Sequence, residues 1–139
     1  MAVERTLAII KPDAVKRGLT ADILGRIHAA KFHIIAIKSV RLTKAQAEGF
    51  YAVHKARPFF GELTDFMSSG KAVVIALEAD SGIAKWRDTM GATDPAKAAP
   101  GTIRRELGES IQYNCTHGSD APDTAAYELG YFFSGSELV

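Results

Sequence analysis

Three short apolar runs, rich in β-branched residues, alternate with segments of helical spacing, and this alternation limits the folds that the chain can adopt. The runs are RTLAII (residues 5–10), HIIAIKSVRL (33–42) and AVVIALEA (72–79). Each has the length and composition of a β-strand, and Pro12 ends the first one. A fourth short strand is expected near residues 113–117.

The segments between these runs carry the signals of helices. Thr43 and Gln46 form a capping-box pattern, which predicts a helix that reaches about His54. Apolar residues recur at helical spacing over residues 59–67, and Gly70 suits the end of that helix. The other predicted helices are one capped by Thr20, a short one capped by Ser81, and a last one over residues 123–129.

The order of these elements predicts an α+β fold. It fits a ferredoxin-like split βαβ sandwich, in which helices cover a four-stranded antiparallel sheet. The chain has 139 residues and is 47% hydrophobic, so we expect a single domain over residues 1–139. The loop over residues 91–102 contains two prolines and is long for a compact domain, and such loops often carry function.

Charge and cysteine content exclude several classes of protein. The net charge of +1 does not favour nucleic acid as the main ligand. With one cysteine the chain cannot form an internal disulfide, and nothing indicates an oxidising compartment. The first residues do not resemble a signal peptide, and no run approaches the roughly 18 apolar residues of a membrane span. We therefore expect a cytoplasmic protein with no membrane partner.

The histidines and the cysteine are candidates for metal binding or nucleophilic chemistry. Their spacing matches no zinc site, and a lone Cys115–His117 pair is far short of four ligands. On a strand the Cα atoms of this pair would be about 6.5–7 Å apart, which is unsuited to a direct thiol–imidazole hydrogen bond. Cys115 is therefore expected to be a small packing residue. Ordinary surface or boundary positions are expected for His28, His33 and His54.

His117 differs from the other histidines because of its neighbours in NCTHGSD, residues 114–120. Gly118 lets the backbone turn and leave the imidazole exposed, while Ser119 and Asp120 supply a hydroxyl and a carboxylate. A free imidazole is mostly neutral at pH 7 and keeps a lone pair. It can serve as a base or as a nucleophile, and the spacing alone leaves both roles open beside that of an ordinary loop histidine.

Cationic side chains suggest which substrate such a histidine would meet. Lys11 ends the first predicted strand, where its side chain can enter a cleft beside the sheet. Guanidinium groups match phosphate oxygens in a bidentate way. Cations that converge on a neutral histidine would form a phosphoryl-transfer site, where positioning and charge neutralisation supply most of the catalysis. The arginines in or next to irregular segments are Arg57, Arg87, Arg104 and Arg105.

Four segments, in order and at fitting intervals, resemble the nucleoside diphosphate kinase family. NCTHGSD resembles the N-x-x-H-G-S-D active-site signature of that family. ERTLAIIKPDAVKRG (residues 4–18) is similar to its opening strand and lysine, and FYAVHKARPFF (50–60) to its nucleotide-binding helical hairpin. MGATDPAKAAPGTIRRE (90–106) is similar to its long proline-containing loop. The resemblance spans almost the whole chain.

The resemblance implies a ping-pong kinase. His117 would take the γ-phosphate of a nucleoside triphosphate, mainly ATP, on Nδ1 and pass it to a different nucleoside diphosphate. This reaction would maintain the pools of GTP, UTP, CTP and the deoxynucleoside triphosphates. Glu128 would orient the imidazole together with Ser119, and Lys11 and Tyr51 would also take part in catalysis. The residues implied to hold phosphates and ribose are Lys11, Tyr51, Arg87, Thr93, Arg104 and Asn114.

The same resemblance implies how the base and the metal are held. Phe59 would stack on one face of the base, with Leu63 beside it and Ile111 on the other face. Apolar contact of this kind tolerates every base. The implied cofactor is Mg²⁺, carried on the nucleotide phosphates and reaching the protein mainly through water, with Asp120 nearby.

Some features depart from the family pattern or leave alternatives open. Ala121 stands where the family commonly has serine, and Trp86 is an unusual neighbour of Arg87. The short C-terminal tail resembles that of bacterial members and leaves a homo-oligomer of either tetramer or hexamer size open. Two other functions are a non-catalytic nucleotide-binding regulatory module and a phosphohistidine carrier charged by a partner kinase.

Overall fold

The computed structural model describes residues 2–138, and within them an antiparallel sheet of four strands forms the centre of the molecule. The strands are β1 (Val3–Ile10), β2 (His33–Arg41), β3 (Lys71–Asp80) and β4 (Thr116–Gly118). They lie in the order β2-β3-β1-β4, with antiparallel pairing throughout. This arrangement confirms the predicted α+β class and the split βαβ topology.

Helices connect the strands and cover both faces of the sheet. Short 3₁₀ turns lie at Ala52–His54 and Pro95–Lys97. The α-helices are α1 (Pro12–Lys16), α2 (Thr20–Ala29), α3 (Lys44–Phe50), α4 (Phe60–Met67), α5 (Gly82–Met90), α6 (Ile103–Leu107) and α7 (Pro122–Phe132).

Alternating side chains divide the apolar core into two layers. Along β1, Leu7 and Ile9 face a layer that is completed by α3, α4 and α7. Ala8 and Ile10 face the opposite layer, which α2 and α5 complete. Successive residues of a strand point to opposite faces, so a central strand buried on both sides reads as a continuous apolar run. The sequence of β1 has this character because helices cover it on both faces.

The fourth strand begins later than the sequence predicts. Cys115 has φ of +75°, a left-handed conformation that a residue with a side chain rarely adopts and that interrupts an extended strand. Pairing with β1 is therefore confined to Thr116, His117 and Gly118, and His117 lies opposite Ile9. The predicted boundary near residue 113 was wrong for this reason.

Helix caps agree with the sequence in one case and differ in three. The Thr43–Gln46 capping box is confirmed by both reciprocal hydrogen bonds, of 2.9 and 3.1 Å. Thr20 is the first residue of α2 and does not cap it, because Leu19 occupies the cap position. Ser81 precedes α5, but its side chain makes no cap hydrogen bond. α4 ends before Gly70, since the Ser68 and Ser69 hydroxyls bond to carbonyls of its last turn.

The short helices α1 and α6 were not predicted from the sequence. α6 interrupts the region after the long loop, and Thr102 caps it by accepting a hydrogen bond from the Arg105 backbone N–H at 3.3 Å. It buries Ile103 in the core. The next residue, Arg104, then reaches the start of β4, where it donates a hydrogen bond to the Thr116 carbonyl. None of the helices within residues 2–138 combines the length and the apolar character that crossing a bilayer requires.

Candidate active site

A cavity of about 500 Å³ opens where β1 ends beside β4, between α4 and the segment that follows α5. Glu128 and Ser119 lie outside its lining, but every other residue that the sequence predicts for the site borders it. The predicted residues that line the cavity are Lys11, Tyr51, Phe59, Leu63, Arg87, Thr93, Arg104, Ile111, Asn114, His117 and Asp120.

His117 borders the cavity from β4 and is held by a carboxylate behind it. Its Nε2 atom lies 3.0 Å from Oε1 of Glu128, a residue of α7. An ionised carboxylate can only accept a hydrogen bond, so the ring nitrogen that faces it must carry a proton. This contact therefore selects the tautomer protonated on Nε2. The lone pair of the ring then resides on Nδ1, which is the nitrogen available for chemistry.

Ser119 anchors this carboxylate to the sheet. The Ser119 hydroxyl donates to Glu128 Oε1 at 2.9 Å and accepts from the Leu7 backbone N–H at 3.2 Å. Ser119 and Glu128 are both largely shielded from solvent. A hydrogen-bonded chain therefore runs from β1 through the serine and the carboxylate to the imidazole, and it holds the ring in one orientation.

Aromatic rings pack around His117. Phe50 meets it edge-on at a centroid distance of 5.5 Å, and Tyr51 does so at 6.0 Å. Burial raises the pKa of the Tyr51 phenol, and the charge of Glu128 raises it further. The hydroxyl of Tyr51 therefore stays protonated at neutral pH and can donate a hydrogen bond into the cavity.

Lys11 is a buried cation at the floor of the cavity. Its ammonium donates to Asn114 Oδ1 at 2.8 Å and to the Gln112 carbonyl at 3.0 Å. Burial lowers the pKa of Lys11 to about 8, the nearby Asp13 carboxylate opposes that shift, and Arg104 adds to it. The free site thus holds a lysine whose charge is costly, and a bound anion would stabilise that charge.

Arg104 places a second cation beside Lys11. It donates to the carbonyls of Gly91 at 3.0 Å and Thr116 at 2.8 Å, while its buried Nε has no partner within residues 2–138. Burial lowers its pKa to about 10, and repulsion from Arg87 contributes. Neighbouring cations that repel one another favour a ligand with several negative charges.

Arg87 and Asp120 lie at the mouth of the cavity. Arg87 Nη1 is 2.7 Å from Asp120 Oδ1, and both side chains are exposed. An exposed pair of this kind contributes little to stability, so the arginine can exchange its carboxylate partner for a phosphate at small cost. The long loop joins the same region, since Asn114 Nδ2 donates to the Thr93 carbonyl at 3.0 Å.

The outer rim carries exposed apolar side chains. Phe59 is 47% exposed and Ile111 is 59% exposed, and Leu63 also lines the cavity. Exposed aromatic and aliphatic groups beside a charged floor suit a planar apolar group attached to an anion.

Some cavity residues were missed by the sequence reasoning. His54 was expected to be an ordinary surface residue, yet it lines the cavity and its ring lies 5.6 Å from that of Phe59. Its position three residues after Tyr51 on a helical turn was the signal, because such residues share a face. The other cavity residues not predicted are Glu62, Gln112, Thr116 and Gly118.

The carboxylates of the site suit a metal that arrives with a ligand. No group of three or more metal-binding side chains occurs among the residues that the structure describes. Asp120 is one of the few carboxylates on the cavity and is largely exposed. Mg²⁺ commonly binds through one or two carboxylates together with substrate phosphates and water, and these residues fit that mode.

Cys115 is confirmed as a buried packing residue. Its thiol is fully buried, and burial, assisted by the charge of Asp13, raises the pKa of the thiol to about 11. A thiol in this state is a poor nucleophile at neutral pH. Its backbone N–H donates to Asp13 Oδ2 at 3.1 Å, which joins this residue to α1.

Comparison with known proteins gives close sequence relatives. A family model described as nucleoside diphosphate kinase matches residues 4–138. The chain is 60% identical over 139 residues to a nucleoside diphosphate kinase of Bradyrhizobium diazoefficiens, covering 100% of this chain and 99% of that protein. It is 57% identical over 137 residues to one of Geotalea daltonii, covering 99% of this chain and 100% of that protein.

Solved structures of similar proteins share the fold. The nucleoside diphosphate kinase of Aquifex aeolicus superimposes with a TM-score of 0.97 at 45% identity, covering 99% of this chain and 100% of the other. A halophilic nucleoside diphosphate kinase of Halobacterium salinarum, solved in complex with CDP, gives a TM-score of 0.94 at 38% identity, with coverage of 99% and 92%.

Proposed function

Because the chain belongs to the nucleoside diphosphate kinase family, matched over residues 4–138, we propose that His117 carries the phosphoryl group in the transfer between nucleotides. The chain is accordingly an enzyme, a kinase that acts on nucleoside diphosphates and triphosphates.

The first half-reaction phosphorylates the histidine. The Nδ1 lone pair of His117 attacks the γ-phosphorus of a nucleoside triphosphate, and the bond to the oxygen that bridges the β- and γ-phosphorus breaks. The bond electrons leave with the nucleoside diphosphate. The Nε2 proton stays directed at Glu128, 3.0 Å away, and this carboxylate stabilises the positive charge that the ring acquires.

The second half-reaction reverses these steps with a different diphosphate. A terminal β-phosphate oxygen of the acceptor attacks phosphorus, and the P–N bond breaks with its electrons returning to Nδ1. Phosphohistidine and a triphosphate both contain reactive phosphoryl bonds, so the cycle can run in either direction. A single cavity suffices, since donor and acceptor occupy it in turn.

Cations at the floor and mouth of the cavity neutralise the phosphates. Lys11 and Arg104 are buried there, and Arg87 stands at the opening. Phosphoryl transfer depends mainly on such positioning and charge compensation. Tyr51 and Thr93, with Asn114, would complete the contacts to phosphate and ribose.

Mg²⁺ is the proposed cofactor, carried on the nucleotide phosphates with Asp120 nearby. When bound, a divalent ion neutralises phosphate charge that develops during transfer. Asp120 is exposed and pairs with Arg87 at 2.7 Å, so its carboxylate could turn from the guanidinium to a water of the hydrated ion.

The rim would hold the base without reading its identity. Phe59 would stack on one face, with Leu63 beside it and Ile111 on the other face. Stacking and apolar contact act on every base, which suits an enzyme that serves guanine, uracil, cytosine and deoxy substrates. The Halobacterium salinarum relative was solved with CDP, and this supports a pocket that accepts a pyrimidine nucleotide.

We further propose that the chain forms one domain that assembles into a homo-oligomer, a tetramer or a hexamer, in the cytoplasm. The edge strand β2 exposes Ile34 and Ile37, at 42% and 45%, and an unpaired edge with apolar side chains favours association. The free Cys115 thiol suits a reducing compartment. Light scattering on the purified protein measures the assembly size directly.

The observation that carries the proposal is that His117, held from behind by Glu128, borders a cavity with buried cations. The test uses pure protein and γ-labelled ATP with Mg²⁺. We expect label that is stable in base and labile in acid, and that moves to GTP when GDP is added. His117→Ala should take no label, whereas the exposed control His28→Ala should behave as the unmodified protein does.

Other outcomes of this experiment would contradict the proposal. Label that forms but does not move to GDP would identify a phosphohistidine carrier. Binding of nucleotide without any label would identify a regulatory module. Label retained in His117→Ala would move the nucleophile to another residue.

A further inference from the structure

Trp86 contacts the main chain of the proposed nucleophile. It is the one tryptophan of the sequence and is fully buried in α5. Its indole N–H donates a hydrogen bond to the backbone carbonyl of His117 at 3.1 Å. The side chain therefore reaches from the helix to the short edge strand that presents the imidazole.

The indole is held tightly between two elements. A Cβ atom built on Gly118 would lie 2.5 Å from Cδ1 of Trp86 and 2.6 Å from Cε of Met90, so the backbone of β4 rests directly on α5. The indole also meets Phe32 edge-to-face, with centroids 5.9 Å apart. An indole packed in this way has little freedom, and its hydrogen bond fixes the carbonyl of His117 relative to the helix.

The same helix carries Arg87, the residue after Trp86. Arg87 Nη1 reaches Asp120, three residues after His117, at 2.7 Å. Helix α5 thus presents a cation to the cavity with one residue and holds the histidine strand with the residue before it. The proposed nucleophile and one of the proposed phosphate-binding cations are therefore linked through one helix.

We propose that Trp86 is a positioning residue for phosphoryl transfer, which fixes the main chain of His117 relative to the phosphate-binding face of α5. The proposal rests on the assignment of His117 as the nucleophile. Attack on phosphorus requires close and aligned approach of the two atoms, and small displacements of the nucleophile lower the rate strongly. Without the indole N–H, the His117 main chain has one restraint fewer, while the residues that bind nucleotide stay in place.

The test removes the N–H and keeps the shape of the side chain. Since the chain has one tryptophan, expression in a tryptophan auxotroph supplied with β-(3-benzothienyl)alanine replaces that residue alone, with sulfur in place of N–H. Trp86→Phe is the second variant. Phe32→Leu is the matched control, because it loosens packing against the indole and removes neither partner of the hydrogen bond.

Two quantities separate positioning from general loss of structure. One is the single-turnover rate of His117 phosphorylation by Mg-ATP, and the other is the affinity for ADP by calorimetry. For the isostere and for Trp86→Phe we expect phosphorylation to slow about tenfold, with ADP affinity within about twofold of the unmodified protein. Phe32→Leu should lower the melting temperature and keep the phosphorylation rate.

Several results would overturn the proposal. An isostere that phosphorylates at the unmodified rate would show that the N–H has no role, whether or not Trp86→Phe folds. Equal slowing in Phe32→Leu, or a parallel loss of ADP affinity in the isostere, would reduce Trp86 to a packing residue. Failure of the unmodified protein to take label would instead contradict the function proposed for His117.

Discussion

In the proposed mechanism, Glu128 determines which ring nitrogen of His117 is free to react. Its Oε1 atom receives both the imidazole Nε2 contact at 3.0 Å and the Ser119 hydroxyl at 2.9 Å. An acceptor that is already bound to a second donor has a fixed orientation, so it holds the ring as well as its tautomer. The proposed reactivity of Nδ1 therefore depends on His117, Glu128 and Ser119 together.

Replacing this carboxylate by an amide tests that role. In Glu128→Gln the amide can present N–H to Nε2, which favours the tautomer protonated on Nδ1 and removes the nucleophilic lone pair. We expect the phosphorylation rate to fall about 100-fold or more, with little change in ADP affinity. Stopped single-turnover labelling measures this rate. The exposed Glu48→Gln is the control, and equal rates in the two variants would contradict the account.

As a proposed phosphate ligand, Lys11 should make the rate of the reaction depend on pH, and its pKa predicts the direction of the change. A lysine is charged below its pKa, and burial lowers the pKa of Lys11 to about 8. We therefore expect kcat/KM for ATP, which reports the free enzyme, to fall as pH rises through about 8. A profile that stays flat well above that pH would contradict a charged Lys11 as a phosphate ligand.

The charge of Asp13 should affect the pH at which kcat/KM falls. Its charge raises the pKa of Lys11, against the effects of burial and of Arg104. In Asp13→Asn the amide oxygen can still accept a hydrogen bond from the Cys115 N–H, but the negative charge is lost. The pKa of Lys11 should therefore fall, and the decrease in kcat/KM should begin at a lower pH. The surface variant Asp22→Asn should leave that pH unchanged. If kcat/KM falls at the same pH in Asp13→Asn as in the unmodified protein, the charge of Asp13 does not act on Lys11.

At the scale of single residues, the sequence and its family resemblance predicted most of the residues that line the cavity, and the resemblance also implied that Glu128 and Ser119 orient His117. Lys11, the arginines and His117 were named because their chemistry suits phosphate. The Trp86 hydrogen bond to the His117 carbonyl and the left-handed Cys115 were not foreseen. Both depend on which elements pack together, and residue types alone do not encode that.

At the scale of elements, the contact between β4 and α5 holds the strand of His117 against the helix that carries Arg87. Gly118 allows the strand to lie against Trp86 and Met90, where a Cβ would be 2.5 to 2.6 Å from their side-chain atoms. The strand pairs with β1 over only a few residues, so packing on the helix is a large part of what holds it.

Adding one methyl group at this contact should separate the two elements. Gly118→Ala forces β4 away from α5, and overpacking of this kind costs about 1–3 kcal/mol. We expect a lower free energy of unfolding in urea together with slower phosphorylation of His117. Unchanged stability and rate would show that the contact is looser than described.

Gly25→Ala provides the matched control. Gly25 lies inside α2, and a Cβ there would meet nothing within 4 Å. Alanine in an exposed helix position stabilises by about 0.5–1 kcal/mol relative to glycine. This variant should therefore be more stable and equally active, which separates a steric effect at Gly118 from a general effect of glycine replacement.

Helices and strands were predictable where the sequence carries a clear periodic or capping pattern. The buried strands and the capping box of α3 follow from local patterns, and the structure confirms them. Helices α1 and α6 have five residues each, too few for apolar periodicity to appear. The pattern favoured Gly70 as the end of α4. The helix ends earlier, where the Ser68 and Ser69 hydroxyls donate hydrogen bonds to carbonyls of its last turn.

For the whole molecule, the charge that is concentrated at the cavity decides which ligand binds, and the net charge does not. The chain carries only +1 overall, yet Lys11, Arg87 and Arg104 converge on one cavity. Binding of a polyphosphate relieves their mutual repulsion and acts only on the folded state. Nucleotide should therefore stabilise the fold as well as occupy the site.

Thermal and chemical unfolding with ADP tests this linkage at fixed protein concentration. At a free ADP concentration of 100 times Kd, the free energy of unfolding should rise by about 2.7 kcal/mol. Arg87→Met should need more ADP for the same increase, because the variant lacks the guanidinium proposed to bind phosphate and leaves the Asp120 carboxylate unpaired nearby. Arg41→Met, on the exposed edge strand, is the control. An ADP effect equal in the two variants would remove Arg87 from the binding site.

The most direct test is the identity of the phosphorylated atom. The protein, labelled with ¹⁵N-histidine, is allowed to react with Mg-ATP in the absence of an acceptor, and ³¹P–¹⁵N coupling is measured by NMR. We predict phosphorus bonded to Nδ1 of one histidine, with Nε2 still protonated and the signal absent in His117→Ala. Phosphorus on Nε2, on Ser119, or on any residue in the His117→Ala variant would contradict the proposed roles of His117 and Glu128.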